Sequence, residues 1–160
     1  MKKNLIVFYS WAGHTRKLAE YIQQFAGGDL LDLIPEEPYC DDYDVVVERA
    51  KQELEGEKCI AVKNLPENIG EYENIFVGSP NWWNTAAPAV YTFMNKYDFA
   101  GKKVIPFCAH GSKGCEKVNA DILACAKGAE ALDGFGTFGK EMNETTPDAV
   151  KAWLQKINLA

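Results

Sequence analysis

Leu5-Ile6-Val7-Phe8-Tyr9 is an unbroken run of β-prone apolar residues, and no other feature of the chain restricts its fold so severely. A strand that alternates polar and apolar side chains can wet one face. A strand with no polar position must be covered on both, which is the situation inside a parallel sheet flanked by helices. The residues that follow suit that setting. Ser10-Trp11-Ala12-Gly13-His14-Thr15 is a polar turn, Leu18, Ile22 and Phe25 then recur at helical spacing, and Gly27-Gly28 stops the helix.

The same unit recurs along the chain. Leu30–Ile34 reads as a second strand ended by Pro35. An acidic loop, Glu36–Asp44, leads to a helix whose Tyr43, Val46, Val47, Ala50 and Leu54 share one face, although Val45-Val46-Val47 is β-prone. Cys59–Val62 reads as a short extended piece. Ile75-Phe76-Val77 is a third strand, closed by Gly78-Ser79-Pro80, and Pro88 opens a helix with Val90, Phe93, Met94 and Tyr97 on its apolar face. Val104–Cys108 is a fourth strand in spite of Pro106, which has no N–H for a ladder and predicts a local bulge. Val118, Ile122 and Cys125 mark a fourth helix, and Glu130–Phe138 holds a weak fifth strand. Thr146-Pro147 reads as the cap and first turn of a last helix carrying Val150, Trp153, Leu154 and Ile157. Five strand–helix alternations predict one doubly wound α/β domain over residues 1–160, built on a parallel sheet.

Composition narrows the function classes. The chain has 160 residues, 47% hydrophobic and 25% charged, enough for a sizeable core and too apolar for disorder. Its net charge is −6 with no Lys/Arg cluster, which argues against nucleic acid and against anionic membranes, while an acidic surface suits basic protein partners. The five cysteines, Cys40, Cys59, Cys108, Cys115 and Cys125, are odd in number and include no Cys-x-x-Cys, so free thiols in a reducing cytoplasm are expected, and no metal site. Lys2 and Lys3 before Leu5–Tyr9 resemble the start of a signal peptide. The apolar run is too short for one, and His14-Thr15-Arg16-Lys17 follows in place of a cleavage site.

In open α/β sheets ligands bind beyond the carboxyl ends of the strands, so the loops after strands one, three and four are the candidate site. Ser10–Thr15 joins a polar turn to a helix N-terminus, an arrangement that holds anions through backbone N–H groups, with the Ser10 and Thr15 hydroxyls as further donors. It is neither a Walker loop nor a Gly-x-Gly-x-x-Gly fingerprint. It holds no lysine, so neutral dipoles would carry a phosphate. Ser79-Pro80-Asn81-Trp82-Trp83-Asn84-Thr85 places two adjacent tryptophans in a polar turn, and their natural use is to cover a flat ring. Ala109-His110-Gly111-Ser112-Lys113-Gly114 has two glycines that let backbone approach a ligand closely. His110 reads either as a neighbour of that ring or as a solvated loop residue, and Cys108 and Cys115 as structural. Glu36, Glu37, Asp41, Asp42 and Asp44 read as a solvated rim or a docking patch for a basic partner.

These loops resemble those of the short-chain flavodoxin-like family, in particular its branch whose first loop reads Ser-Trp-Ser-Gly-Asn-Thr, second loop Pro-Ile-Trp-Trp and third loop Phe-x-Thr-x-Gly-Gly-Ser-Gly. The corresponding residues are Ser10–Thr15, Pro80–Trp83 and Phe107–Gly114. The resemblance implies a five-stranded sheet of order 2-1-3-4-5. It also implies FMN, its phosphate in the first loop and its ring between the second and third. The site residues it implies are Ser10, Trp11, Ala12, Gly13, His14, Thr15, Ser79, Pro80, Asn81, Trp82, Trp83, Asn84, Ala109, His110, Gly111 and Gly114. Ala12 and Ala109 lack hydroxyls expected there, His14 replaces an amide, and Lys113 brings a cation where relatives often have a small residue. On this reading the chain is a redox flavoprotein with no catalytic side chain, because the cofactor carries the chemistry. An electron carrier serving a redox partner protein or small acceptor is favoured. A nicotinamide-dependent, quinone-reductase-like enzyme is the alternative, and a flavin-free ligand-binding domain is the alternative of another class. A signalling receiver domain would need acids where the chain has Tyr9-Ser10 and Ser79-Pro80.

Overall fold

The computed structural model describes residues 3–160. Lys2, part of the basic start considered above, lies outside them. The elements are β1 (Asn4–Phe8), α1 (His14–Ala26), β2 (Asp29–Asp32), α2 (Tyr43–Glu55), β3 (Asn74–Pro80), α3 (Pro88–Lys96), β4 (Lys103–His110), α4 (Glu116–Cys125), β5 (Glu130–Ala131), β6 (Phe135–Phe138) and α5 (Thr146–Lys156). All strand pairs are parallel, in the order β2-β1-β3-β4-β5, and β6 also pairs with β4.

Side-chain alternation along the three inner strands divides the core in two. Leu5, Val7 and Tyr9, then Ile75 and Val77, then Val104 and Cys108, pack with α3, α4 and part of α2. Ile6 and Phe8, then Phe76, then Ile105, Phe107 and Ala109, pack with α1 and α5. The middle of each inner strand is therefore apolar on both faces, because its odd and even positions serve different layers. Gly78 is required by this packing: a Cβ there would lie 2.2 Å from the Phe107 ring. At the amino ends of the strands the buried Asn74 donates to Asn4 Oδ1 at 2.8 Å, and Asn4 donates to Ala26 O and Gly27 O, closing the end of α1.

The irregularity expected at Pro106 falls on its neighbour instead. β4 runs unbroken, and the edge strand is divided into β5 and β6. Val104 pairs with Ala131 and Phe107 with Phe135, so three edge residues span what two residues of β4 span. Val104 O accepts from Leu132 N. Pro106, two residues on, faces the same edge, and its missing N–H falls opposite the interruption. The second strand is Asp29–Asp32, shorter than the apolar run Leu30–Ile34, and Thr146 is the first residue of α5 with Thr145 before it as cap. Cys59–Val62 contributes one antiparallel bridge, Pro35 to Val62. No helix among the described residues is long and apolar enough to cross a membrane.

Candidate functional site

A cleft of about 690 Å³ opens where β1, β3 and β4 end, a volume ordinary for a small-molecule site. One end is the start of α1. Gly13 adopts the left-handed φ of 99° that a turn into the helix needs here, and its N–H donates to Ser10 Oγ. No side chain caps α1. The first-turn N–H groups, which have no partner within any helix, are therefore free to meet a ligand anion. Thr15 is 2% exposed and lines the cleft, and its hydroxyl makes no hydrogen bond to another described residue. The short turn Gly139–Glu141 after β6 closes over this end: a Cβ on Gly139 would lie 2.9 Å from the His14 ring, and Lys140 beside it lines the cleft. A cation thus reaches the anion end from a segment remote in sequence.

The second loop is a two-residue hairpin. Trp82 and Thr85 exchange backbone hydrogen bonds, with Trp83 at φ 54° and Asn84 at φ 61° between them. Asparagine tolerates that conformation and tryptophan resists it, at a cost on the order of 1–2 kcal/mol. Trp83 is held there by its indole N–H, which donates to Val47 O at 2.9 Å, while Lys51 lies over its ring. It stays 52% exposed at the mouth of the cleft. Trp82 sits deeper, its ring meeting Tyr9 and Tyr39 edge-on at 5.4 and 5.1 Å. Tyr39 in turn lies under the Arg49 guanidinium at 3.9 Å and donates to Glu53 at 2.6 Å. Burial, then the bond to Glu53, push the Tyr39 phenol well above its ordinary pKa. At the hairpin's base Thr85 donates to Asp121, which also accepts from Lys117. Burial alone would raise the Asp121 carboxyl, but those two partners hold it below the usual range.

The third loop, residues 109–114, is tied at both ends. Asn81 N–H donates to Ala109 O, and the Asn81 side chain donates to Gly114 O at 2.6 Å. Cys108 and Cys115, expected as free thiols, are joined in a disulfide, with Cα atoms 5.7 Å apart. Parity misled here: five cysteines give one bond and three free thiols, Cys40, Cys59 and Cys125. His110 packs on Phe138, and its buried Nδ1 has no partner.

The lining contains Ser10, Trp11, Ala12, His14, Thr15, Pro80, Asn81, Trp82, Trp83, Asn84, Ala109, His110 and Gly111. Gly13 and Gly114 lie outside it and shape the turns. Ser79 lies outside it too: it is fully buried, and its hydroxyl accepts from Ala87 N and donates to Pro80 O, linking β3 to the start of α3. Sequence reading passed over Tyr43, Val46 and Val47 of α2, and also Gly139 and Lys140. Tyr43, whose spacing puts it on one helical face with Val46 and Ala50, is 67% exposed beside Trp11. The five acidic residues between Glu36 and Asp44 are exposed, and Asp42 caps α2. Arg49 donates to Glu37 O and Pro38 O and so holds this segment beside the cleft.

The flavodoxin family's sequence model matches residues 3–157. No curated protein matches the chain. Among solved structures, a candidate flavoprotein from Bacteroides eggerthii is 29% identical over the whole of both chains, with a TM-score of 0.85. A candidate flavoprotein from Bacteroides uniformis is 26% identical over 96% of this chain and 98% of that one, at 0.83. A flavoprotein from Lactobacillus acidophilus, solved in complex with FMN, is 24% identical over 96% and 99%, at 0.68, a likeness of fold. With a match over nearly its whole length, and with the strand order and strand-end cleft described above, the chain belongs to the flavodoxin family.

Proposed function

We propose that the cleft holds one FMN and that the protein carries electrons in the cytoplasm between a reductant and a redox partner or small acceptor. The observation that carries this reading is the polarity of the cleft. An uncapped helix N-terminus and a set of indole and phenol rings line one cleft, although they are separated in sequence by whole βα units. The residues fit the group. The first-turn N–H groups of α1, the Thr15 hydroxyl and Lys140 suit a phosphate dianion, and the unpartnered Nδ1 of His110 suits a polar ring edge. FMN, when bound, supplies one- and two-electron chemistry. The chain's own residues bind it at the phosphate, flank the ring with Trp82 and Trp83, and exclude water on the α2 side with Val46 and Val47. The FMN complex of the Lactobacillus flavoprotein supports the assignment.

The exposed acidic segment beside the cleft favours a carrier that meets a basic partner. One observation favours an enzyme: Trp83 and Asn84 fix the second hairpin in a left-handed turn without glycine, which leaves less freedom for a peptide to turn over beside the ring. Anaerobic mixing of the FMN-loaded protein with reduced nicotinamide separates the two. A carrier keeps its oxidised spectrum until a reductase is added. Rapid direct bleaching assigns the protein as an enzyme.

A further inference from the structure

We propose that Cys108 and Cys115 form a thiol–disulfide exchange site for external dithiols, and that its redox state sets how tightly the cleft holds FMN. The proposal rests on the FMN reading above. The bond joins the third loop's two flanks, and five of the six enclosed residues, Ala109 to Lys113, line the cleft. Gly111, Ser112 and Lys113 are exposed and make no hydrogen bond to another described residue. The loop's shape is therefore imposed at its ends, by β4, by the two hydrogen bonds from Asn81, and by the disulfide. The rest of the fold makes room for the pair. A Cβ on Gly136, in the strand beside Cys108, would lie 2.6 Å from the Cys115 Cβ and 3.0 Å from its sulfur.

Reduction proceeds by attack of a dithiol's thiolate on one sulfur, forming a mixed disulfide and releasing the other cysteine. The reagent's second thiol then attacks the reagent's own sulfur in the mixed disulfide and releases the protein cysteine bonded to it, leaving two protein thiols and an oxidised reagent, with two electrons and two protons transferred. Cys108 is fully buried and Cys115 is 7% exposed, so attack is directed at Cys115 as the loop lifts. A ligand pressed against residues 109–113 opposes that movement. By linkage, whatever factor separates the FMN affinities of the two states also separates the disulfide's stability with and without FMN.

The test titrates FMN, in the dark and without air, into apoprotein that is air-oxidised, reduced with dithiothreitol, and reduced then reoxidised. Alkylation and intact mass count the thiols in each sample. The expected result is one disulfide in the oxidised protein, FMN affinity about tenfold lower after reduction, and full recovery on reoxidation. Saturating FMN then lowers the disulfide's midpoint potential by about 30 mV, the two-electron equivalent of tenfold. Equal affinities in both states overturn the proposal and leave FMN binding intact. Failure to bind FMN in any state overturns the FMN reading and this proposal together. A disulfide absent after air oxidation, or a response to reductant that persists in the Cys108→Ala/Cys115→Ala variant, also overturns it.

Discussion

Thr15→Val separates a residue that holds the phosphate from one that merely ends a turn. The side chain is 2% exposed, and its hydroxyl has no partner among the described residues. Valine has nearly the same shape and similar helix propensity, so packing in the first turn of α1 is kept. In the free protein the change removes a poorly partnered hydroxyl, and stability stays level or rises by up to about 1 kcal/mol. In the complex it removes a hydrogen bond to a charged oxygen, worth about 1.5–3 kcal/mol. The FMN dissociation constant should therefore rise roughly 10- to 150-fold. Riboflavin lacks the phosphate and should bind both proteins alike. The assay is paired titration with FMN and riboflavin by flavin fluorescence, with urea unfolding of the apoprotein alongside. Equal weakening of both ligands, or of neither, would refute the placement of the phosphate at α1. A large loss of apoprotein stability would show that Thr15 serves the fold.

Trp82→Ala should destabilise the apoprotein by about 2–4 kcal/mol, since its ring packs on Tyr9 and Tyr39. Trp83→Ala, at an exposed and strained position, should cost less than about 1 kcal/mol in urea unfolding yet weaken FMN. Lys113→Gln should make full reduction of the flavin harder by no more than about 40 mV at low salt, because water screens an exposed lysine, and a redox titration should show the gap closing at high salt. The Tyr39 pKa lies above the ordinary 10.0 through burial and the Glu53 bond, so the folded state holds that proton more tightly than the unfolded one. Its contribution to stability is complete below about pH 10 and is lost as pH rises beyond it, so Tyr39→Phe should flatten the alkaline fall in unfolding free energy.

The fold was legible because each inner strand carries an unbroken apolar run at its middle, a pattern that two-sided burial requires and one-sided sheets do not show. Odd and even residues of Leu5–Tyr9 enter separate layers, as the run implied. The three loops were legible because their Gly, Trp and hydroxyl residues are out of place in ordinary turns. What stayed hidden depends on distance in sequence. Lys140 meets the anion end only because the turn after β6 folds onto His14. Tyr43 and Val47 reach the cleft only because α2 leans on the Trp82–Thr85 hairpin through the Trp83 indole. The disulfide spans seven positions, yet a cysteine count cannot reveal it, because pairing needs β4 and α4 to place two Cα atoms within reach. Ser79 is the converse case: it sits at a strand end but outside the cleft lining, and its hydroxyl serves Ala87 N and Pro80 O.

The central claim is tested most directly by the flavin content of the protein itself. Apoprotein titrated with FMN, FAD and riboflavin, with the bound flavin released by denaturation and identified by chromatography, should take up one FMN per chain. Its flavin spectrum should be perturbed and its tryptophan fluorescence strongly quenched. FMN should bind more tightly than riboflavin. Protein that stays colourless with excess FMN, or that binds riboflavin as tightly as FMN, would contradict the account.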